Sequence, residues 1–139
     1  MTTSAAATAS RAKPTDILYL TLILQRSERI RSYTVGGREQ FFASEITQDA
    51  VALNLEAIGE ATKQLSKKLR AQHPEVSWQQ IAAVGDTLLH DFLGENLHAV
   101  WQVVAHDLDT LEAQVRRILA SLDKTGVQSD DARDEHSEH

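Results

Sequence analysis

Residues 97–122 read LHAVWQVVAHDLDTLEAQVRRILASL, and their apolar positions recur every three or four residues. The recurring residues are Leu97, Val100, Trp101, Val104, Leu108, Leu111, Val115, Ile118 and Leu122. At the helical period of about 3.6 residues per turn, this spacing gathers them on one side of an α-helix. A stripe this regular predicts a helix that packs in a bundle core, against a helical partner, or both.

The N-terminal third of the chain shows the same helical pattern. Pro14-Thr15-Asp16 predicts a helix start with a capping side chain ahead of the apolar residues, and the pattern continues to about Tyr33. Val35-Gly36-Gly37 predicts a loop, after which Arg38 to Ala43 form a short helical turn.

The middle of the chain predicts two further helices. Ser77-Trp78-Gln79-Gln80 fits a capping box, so a helix begins there, and Gly94 ends it. Asn96 is then in position to cap the helix that starts at Leu97. Before Pro74, a single long helix is predicted from one apolar stripe, formed by Ile46, Ala50, Leu53, Ala57, Ile58, Ala61, Leu65 and Leu69.

These segments together predict one all-α domain at residues 14–123, an up-and-down bundle of four to five helices. A chain of 139 residues with 42% hydrophobic residues suffices for one helical core, whereas two domains would each be undersized. Six glycines and two prolines leave little turn chemistry for a sheet.

The two ends of the chain do not share this pattern. Residues 1–13 lack the apolar region of a secretory signal and predict a flexible leader. Residues 124–139 hold five acidic and two basic residues, which predicts a disordered acidic tail. Half of the formal net charge of −6 therefore lies outside the predicted domain, and the folded part is only mildly acidic.

Composition also excludes several classes of protein. The chain has no cysteine, so it has no disulfide, thiolate metal site or cysteine nucleophile, in keeping with a reducing cytoplasm. Its longest apolar run, residues 17–24, is far shorter than the roughly 20 residues of a membrane-spanning helix. Phosphate-binding loops, nucleophile elbows and zinc deaminase signatures are absent.

The histidines do not have the spacing of metal ligands. His98 and His106 are eight residues apart and diverge around a helix, and no HExxH sequence occurs, so no metal site is predicted. His90 differs, because Asp86 precedes it by one helical turn and lies on the same face. A carboxylate there can orient the ring and favour its protonated form for acid–base catalysis, or it can merely neutralise a histidine at a helix end.

Residues 54–101 resemble the HepT-type toxins of the HEPN superfamily. The shared features are Ile58-Gly59-Glu60-Ala61, the stretch from His73 through Trp78 to Ile81, and His90-Asp91-Phe92-Leu93-Gly94 with Leu97 and Trp101 after it. The resemblance implies a helical bundle that dimerises, with two R-x4-H-x-Y motifs facing each other across a cleft. It further implies cleavage of RNA without a metal or other cofactor, within a type VII toxin–antitoxin module.

Carried over to this chain, the motif histidine is His90, the arginine position holds Gly85 and the tyrosine position holds Phe92. The resemblance makes His90 the general base or acid, and the helical spacing makes Asp86 the residue that would orient it. By analogy with arginine fingers, losing a cation from a phosphoryl transition state costs about 10³ to 10⁵ in rate. In the family the tyrosine receives AMP from an MntA-type nucleotidyltransferase antitoxin, and Phe92 has no oxygen to accept it.

Three interpretations of these replacements stay open. The chain is a natural inactive member, a variant obtained because the active toxin is lethal, or an active enzyme in which another arginine supplies the charge, with Arg38, Arg70 and Arg116 as candidates. A different class of function is a non-catalytic helical dimer that binds a nucleotidyltransferase or nucleic acid. RNA contacts are expected from Lys63, Lys67, Lys68 and Arg70, unless these form an ordinary solvated face, and no aromatic platform for bases is evident.

Overall fold

The computed structural model describes residues 13–93 and 97–122, and at residues 85–93 it describes the backbone and the side chain of Asp86. The acidic tail predicted at residues 124–139 lies outside the described residues. So does the leader predicted at residues 1–13, apart from Lys13. The predicted helix-ending Gly94 and capping Asn96 are also outside the described part of the chain.

The described chain is a succession of helices. They are α1 (Pro14–Tyr33), α2 (Gly37–Ala43), α3 (Glu45–Lys63), α4 (Lys67–Gln72), α5 (Trp78–Leu93), α6 (Leu97–Gln102), a π-helical turn (Val103–Asp107) and α7 (Leu108–Leu122). No strand occurs within residues 13–93 and 97–122, which confirms the predicted all-α class. No helix in these two ranges is long and apolar enough to cross a bilayer.

Helix α3 lies at the centre of the bundle. It packs against α1 on one side and α5 on the other, and α7 packs along α1. The short helix α2 rests on α3, and α6 rests on α5. The regular stripe of residues 97–122 enters the core as predicted, through Val100, Val104, Leu108, Leu111, Val115, Ile118 and Leu122. Each such aliphatic side chain contributes roughly 1.5 to 3 kcal/mol when fully buried.

The apolar stripe predicted on α3 is only partly in the core. Ile46 and Leu53 are 82% and 61% exposed, whereas Val51 and Leu55, which were outside the predicted stripe, are buried. A central helix contacts neighbours on two sides, so it buries more than one face. The spacing of apolar residues alone did not show which faces those are.

The long helix predicted from Ile46 to Leu69 is interrupted, contrary to the prediction. Helix α3 ends at Lys63, and Ser66 takes an extended conformation with φ −67° and ψ 152° before α4 begins. The Ser66 hydroxyl accepts a hydrogen bond from the Leu69 backbone N–H at 3.1 Å, which is the geometry of an N-cap. Leu65 and Leu69 are both buried across the break, so the apolar spacing continues where the helix does not.

Asp16 stabilises this break rather than the start of its own helix. Helix α1 does begin at Pro14 as predicted, but its N-cap is Lys13, whose side chain makes no capping hydrogen bond. Asp16 is 2% exposed and accepts hydrogen bonds from the Ser66 backbone N–H at 2.8 Å and the Ser66 hydroxyl at 2.6 Å. The predicted local cap is therefore a contact between α1 and the α3–α4 junction.

The last helix contains a π-helical turn at Val103–Asp107 between α6 and α7. One extra residue in a helical turn rotates the following side chains relative to a straight α-helix. Val104 and Leu108 remain buried through the turn. The helix predicted from Leu97 to Leu122 therefore has the predicted extent, but a π-helical turn interrupts its α-helical geometry.

Two arginines link α1 to its neighbour α7 through ion pairs, and the acids that they contact differ in burial. Arg31 donates to Glu112 and Asp109, and these hydrogen bonds, that of Glu112 first, raise the pKa of the guanidinium further above its ordinary value. Glu112 is 4% exposed, and its Oε2 has no hydrogen-bond partner among the described residues. The second pair joins Arg116 to Glu28 at 2.8 Å with both side chains at least half exposed.

Removing either arginine should lower the unfolding free energy, but by different amounts. Arg31→Ala leaves the buried Glu112 carboxylate without its cation, and we expect a loss of about 1 to 3 kcal/mol of unfolding free energy. Arg116→Ala removes an exposed pair and should cost less than about 1 kcal/mol. Urea unfolding of both variants measures the difference, and equal losses would contradict the assigned role of Glu112.

The Asp16 contact predicts a coupled loss of stability. Because hydrogen bonds to a charged group contribute about 1.5 to 3 kcal/mol, we expect Asp16→Ala to lower the unfolding free energy by about that amount. A double-mutant cycle with Ser66→Ala should show less than additive losses, since Ser66→Ala removes one of the two hydrogen bonds that Asp16→Ala removes. Asp49→Ala, at an exposed acid on α3, is the matched control and should change stability by less than about 0.5 kcal/mol.

Candidate active site

Helix α5 carries every position of the predicted motif. Gly85, Asp86, His90 and Phe92 all lie in its second half, between residues 85 and 92. Asp86 and His90 are four residues apart in this helix, so the two positions lie on the same helical face. The side chains of His90 and Phe92 lie outside the described part, and the predicted contact between Asp86 and His90 stays a prediction.

Asp86 contacts a cation that the sequence did not associate with it. The Lys63 ammonium, on the last residue of α3, lies 2.9 Å from Asp86 Oδ2 and 3.0 Å from Glu60 Oε2. The hydrogen bond to Asp86, and then that to Glu60, raises the pKa of Lys63, so the side chain keeps its positive charge. A lysine therefore lies beside the helical turn that runs from Gly85 to His90.

The packing of α3 against α5 creates this cluster. Lys63 and Asp86 are 23 residues apart, so no periodic pattern could have paired them. The spacing of Glu60 and Lys63 is a common helical ion pair and was visible in the sequence. All three side chains are more than a third exposed, so solvent and salt weaken their attraction.

The basic cluster expected at residues 63–70 is divided by the helix break. Lys63 ends α3 and is held by two acids, whereas Lys67 and Lys68 are exposed on α4. Arg70 is partly buried, and within the described part of the chain its Nε has no hydrogen-bond partner. These four residues therefore do not form one continuous basic face.

The three arginines considered as replacements for the motif cation have other surroundings. Arg116 pairs with Glu28, and Arg38 lies 3.3 Å from His98 Nδ1. Arg70 is on α4, beyond the break. Among the described side chains, Lys63 is the cation that contacts the motif helix at Asp86.

A cavity of about 340 Å³ opens between α3, α5 and α7. Leu55 and Ile58 line it, and Val84, next to Gly85, reaches it from α5. Glu75 and Asp107 contribute carboxylates, and its described lining includes no basic residue. The cavity therefore suits neutral or basic groups better than phosphate.

The described residues contain no group of three or more histidine, aspartate and glutamate side chains able to hold a metal ion. His98 and His106 both lie on the last helical segment and are exposed. The acids around Lys63 are Glu60 and Asp86, and the lysine itself occupies the space between them.

The fold and the position of the motif on α5 define an all-α protein of the HEPN type. Residues 23–118 match the family model described as "Ribonuclease HepT-like", which spans every helix named above except the ends of α1 and α7. The chain therefore belongs to the HepT-like ribonuclease family of the HEPN superfamily.

Individual relatives agree with this assignment. The chain is 36% identical over 102 residues to a protein of Caldanaerobacter subterraneus subsp. tengcongensis named "Putative RNase", covering 73% of this chain and 91% of the relative. It is 32% identical over 80 residues to the "Probable ribonuclease HepT" of Thermococcus cleftensis, covering 58% of this chain and 73% of that one.

A third relative is longer than this chain. The Methanocaldococcus jannaschii protein named "Gamma-glutamylcyclotransferase and putative RNase" is 36% identical over 108 residues, covering 77% of this chain. The match spans about half of that relative, 49% of its length. No solved structure matches the chain significantly.

Proposed function

We propose that the protein is the toxin of a type VII toxin–antitoxin module, a cytoplasmic endoribonuclease that needs no metal or other cofactor and uses His90 as general base or acid. The observation that carries the proposal is the family match at residues 23–118, which includes α5 and its histidine. An MntA-like nucleotidyltransferase is the proposed antitoxin, and a homodimer is the proposed active form.

The proposed reaction requires a proton acceptor and a cation. His90 accepts the proton of a ribose 2′-hydroxyl while the 2′-oxygen attacks the adjacent phosphorus and the 5′-oxygen leaves, which yields a cyclic phosphate. A protonated group then returns a proton to the departing oxygen. Negative charge gathers on the phosphate oxygens during the attack, so a nearby cation stabilises the transition state.

Lys63 is the proposed source of that charge in this chain. Its ammonium contacts Asp86, which directly follows the arginine position Gly85 and precedes His90 by one helical turn. Lysine acts as a point charge and lacks the planar fork with which arginine binds two phosphate oxygens at once. Under the proposal, this chain therefore cleaves RNA, but more slowly than an enzyme that carries arginine at position 85.

Phe92 bears on regulation rather than chemistry. A phenylalanine retains the ring of the family tyrosine, but it has no hydroxyl for transfer of AMP. Under the proposal, the nucleotidyltransferase controls this chain by binding rather than by modifying residue 92. A slow enzyme needs less stringent silencing, so the two replacements are compatible with each other.

An RNA-cleavage assay in the presence of EDTA tests the catalytic proposal. We expect weak cleavage by the unchanged chain, a loss of at least tenfold in Lys63→Ala, and abolition in His90→Ala, because each removes one required group. Gly85→Arg should raise the rate by tenfold or more, since it restores the cation at the motif position. Lys67→Ala, at an exposed lysine on α4, is the control for loss of charge.

Two results of this assay would contradict parts of the catalytic proposal. If Gly85→Arg fails to cleave RNA in a manner that depends on His90, the catalytic proposal is wrong. The alternative function, a non-catalytic dimer that binds a nucleotidyltransferase or nucleic acid, then gains support from the replacements at Gly85 and Phe92. If Lys63→Ala leaves the rate of RNA cleavage unchanged while the other variants behave as expected, Lys63 is not the replacement cation.

The exposed apolar residues of α3 support the proposed homodimer. Ile46 and Leu53 are seven residues apart, so they lie on one face of α3, and Glu60 is a further seven residues along it. Large apolar side chains at 82% and 61% exposure favour contact with a partner. A second copy packed on this face would lie next to the cluster of Lys63, Glu60 and Asp86.

This face predicts how the oligomeric state responds to substitution. We expect Leu53→Glu to shift a homodimer to monomer, because it places a charge in the apolar contact. Leu18→Glu, at a leucine of α1 that is 52% exposed, is the matched control and should leave the dimer intact. Size-exclusion chromatography with light scattering measures both, and a dimer that survives Leu53→Glu would exclude this face as the interface.

A further inference from the structure

Three side chains outside the motif form an exposed cluster that the proposed chemistry does not use. The Arg38 Nη2 lies 3.3 Å from His98 Nδ1, and the guanidinium carbon lies 4.7 Å from the centre of the Phe42 ring. The rings of Phe42 and His98 are 5.0 Å apart, tilted by 49°. Arg38 and Phe42 come from α2 and His98 comes from α6, so the cluster joins two helices.

The aromatic residues beneath the cluster make it rigid. Phe42 packs edge-to-face on Phe41 with centroids 5.4 Å apart, and Phe41 packs on Trp101 at 5.2 Å. Phe41 is fully buried in the core. The Arg38 guanidinium thus lies over a ring that is itself anchored, whereas a surface arginine normally has several free rotamers.

The side chains that hold Arg38 differ from those that hold three other cations of the structure. Arg31, Arg116 and Lys63 each contact carboxylates, while no described carboxylate contacts Arg38. Its partners are a neutral hydrocarbon ring and an imidazole. The positive charge of Arg38 is therefore oriented without being neutralised by a described acid.

The hydrogen bond also determines which proton His98 presents. A guanidinium only donates hydrogen bonds, so Nδ1 accepts and the ring proton is on Nε2. His98 is exposed, which leaves the Nε2–H available as a second donor next to the remaining N–H groups of Arg38. A supported guanidinium plane with convergent donors suits a ligand that combines a flat ring with anionic oxygens.

We propose that Arg38, supported by Phe42 and His98, binds a nucleotide of single-stranded RNA adjacent to the cleaved bond. Bases of unpaired RNA stack on guanidinium planes, and phosphates accept hydrogen bonds from their edges. The inference rests on the proposed function in that RNA is the ligand. It also provides the stacking surface that the aromatic composition of the chain did not suggest.

The position of the cluster in the fold agrees with this role. Helix α5 ends at Leu93, one turn past His90, and α6 begins at Leu97 with His98 next to it. Four peptide units connect Leu93 to Leu97, so their Cα atoms lie at most about 14 Å apart. The cluster therefore lies at the end of α5 that carries the motif histidine.

RNA binding without cleavage tests the inference. A fluorescein-labelled single-stranded RNA of twelve nucleotides is titrated with the full chain carrying His90→Ala, and affinity is measured by fluorescence anisotropy at several salt concentrations. Because the change removes both a stacking surface and a phosphate donor, we expect Arg38→Ala to weaken binding about tenfold and to reduce the salt dependence by about one charge. Arg38→Lys keeps the charge but not the plane and should recover only part of the affinity.

The controls separate this site from general charge effects. Arg29→Ala removes an exposed arginine of α1 and should change the affinity less than about twofold. Phe42→Leu removes the supporting ring and should weaken binding in the same direction as Arg38→Ala. Thermal unfolding of each variant shows that the fold is retained, and Arg38→Lys covers the case in which Arg38→Ala fails to fold.

Each other outcome overturns a defined part of the proposals. Equal losses of RNA affinity in Arg38→Ala and Arg29→Ala would show that Arg38 contributes only ordinary surface charge. Unchanged RNA affinity in Arg38→Ala, with loss of binding to a nucleotidyltransferase, would make it a protein interface instead. A chain that binds no RNA would overturn both proposals, whereas Arg38-dependent binding without cleavage in Gly85→Arg would overturn only the catalytic one.

Discussion

The buried carboxylate of Asp16 is the contact on which the arrangement of the candidate site depends. It accepts two hydrogen bonds from Ser66, so the first turn of α1 is fixed to the point where the chain leaves α3. Ser66 is extended there and caps α4, which makes Lys63 the last residue of α3. A long side chain at a helix end can reach a neighbouring helix, and Lys63 reaches Asp86 on α5. A polar contact at one end of the bundle thus determines which cation faces the motif helix.

Much of the fold could be predicted from the sequence because burial and helical periodicity coincide in most segments. The limits of α1, the short helix at α2 and the start of α5 at Trp78 follow from turn residues and apolar spacing that act locally. The break at Ser66 could not be predicted in this way, since Leu65 and Leu69 are both buried and keep the helical spacing across it. The Ser66 cap on α4 and the tertiary hydrogen bonds that Ser66 donates to Asp16 distinguish that segment from a continuous helix.

The candidate site shows the same division between local and tertiary information. The spacing of Gly85, Asp86 and His90 belongs to one helix and is visible in the sequence. The partner of Asp86 is not, because α3 and α5 meet through packing rather than through proximity in the chain. The same holds for Arg38 and His98, which are 60 residues apart. Residue types that seem unrelated in the sequence form charge clusters once the bundle is assembled.

The structure also resolves how a chain with a formal net charge of −6 is compatible with a polyanionic substrate. Net charge governs long-range attraction, whereas binding of a phosphate depends on the few cations whose geometry is fixed. Lys63 is fixed by two carboxylates, so it is well positioned but partly neutralised. Arg38 lies against the rings of Phe42 and His98, and no described carboxylate contacts it. The first arrangement suits transient stabilisation of charge at a reacting phosphate, and the second suits continuous contact with a bound strand. Under the two proposals, separating these roles would let a mildly acidic bundle hold RNA without a broad basic surface.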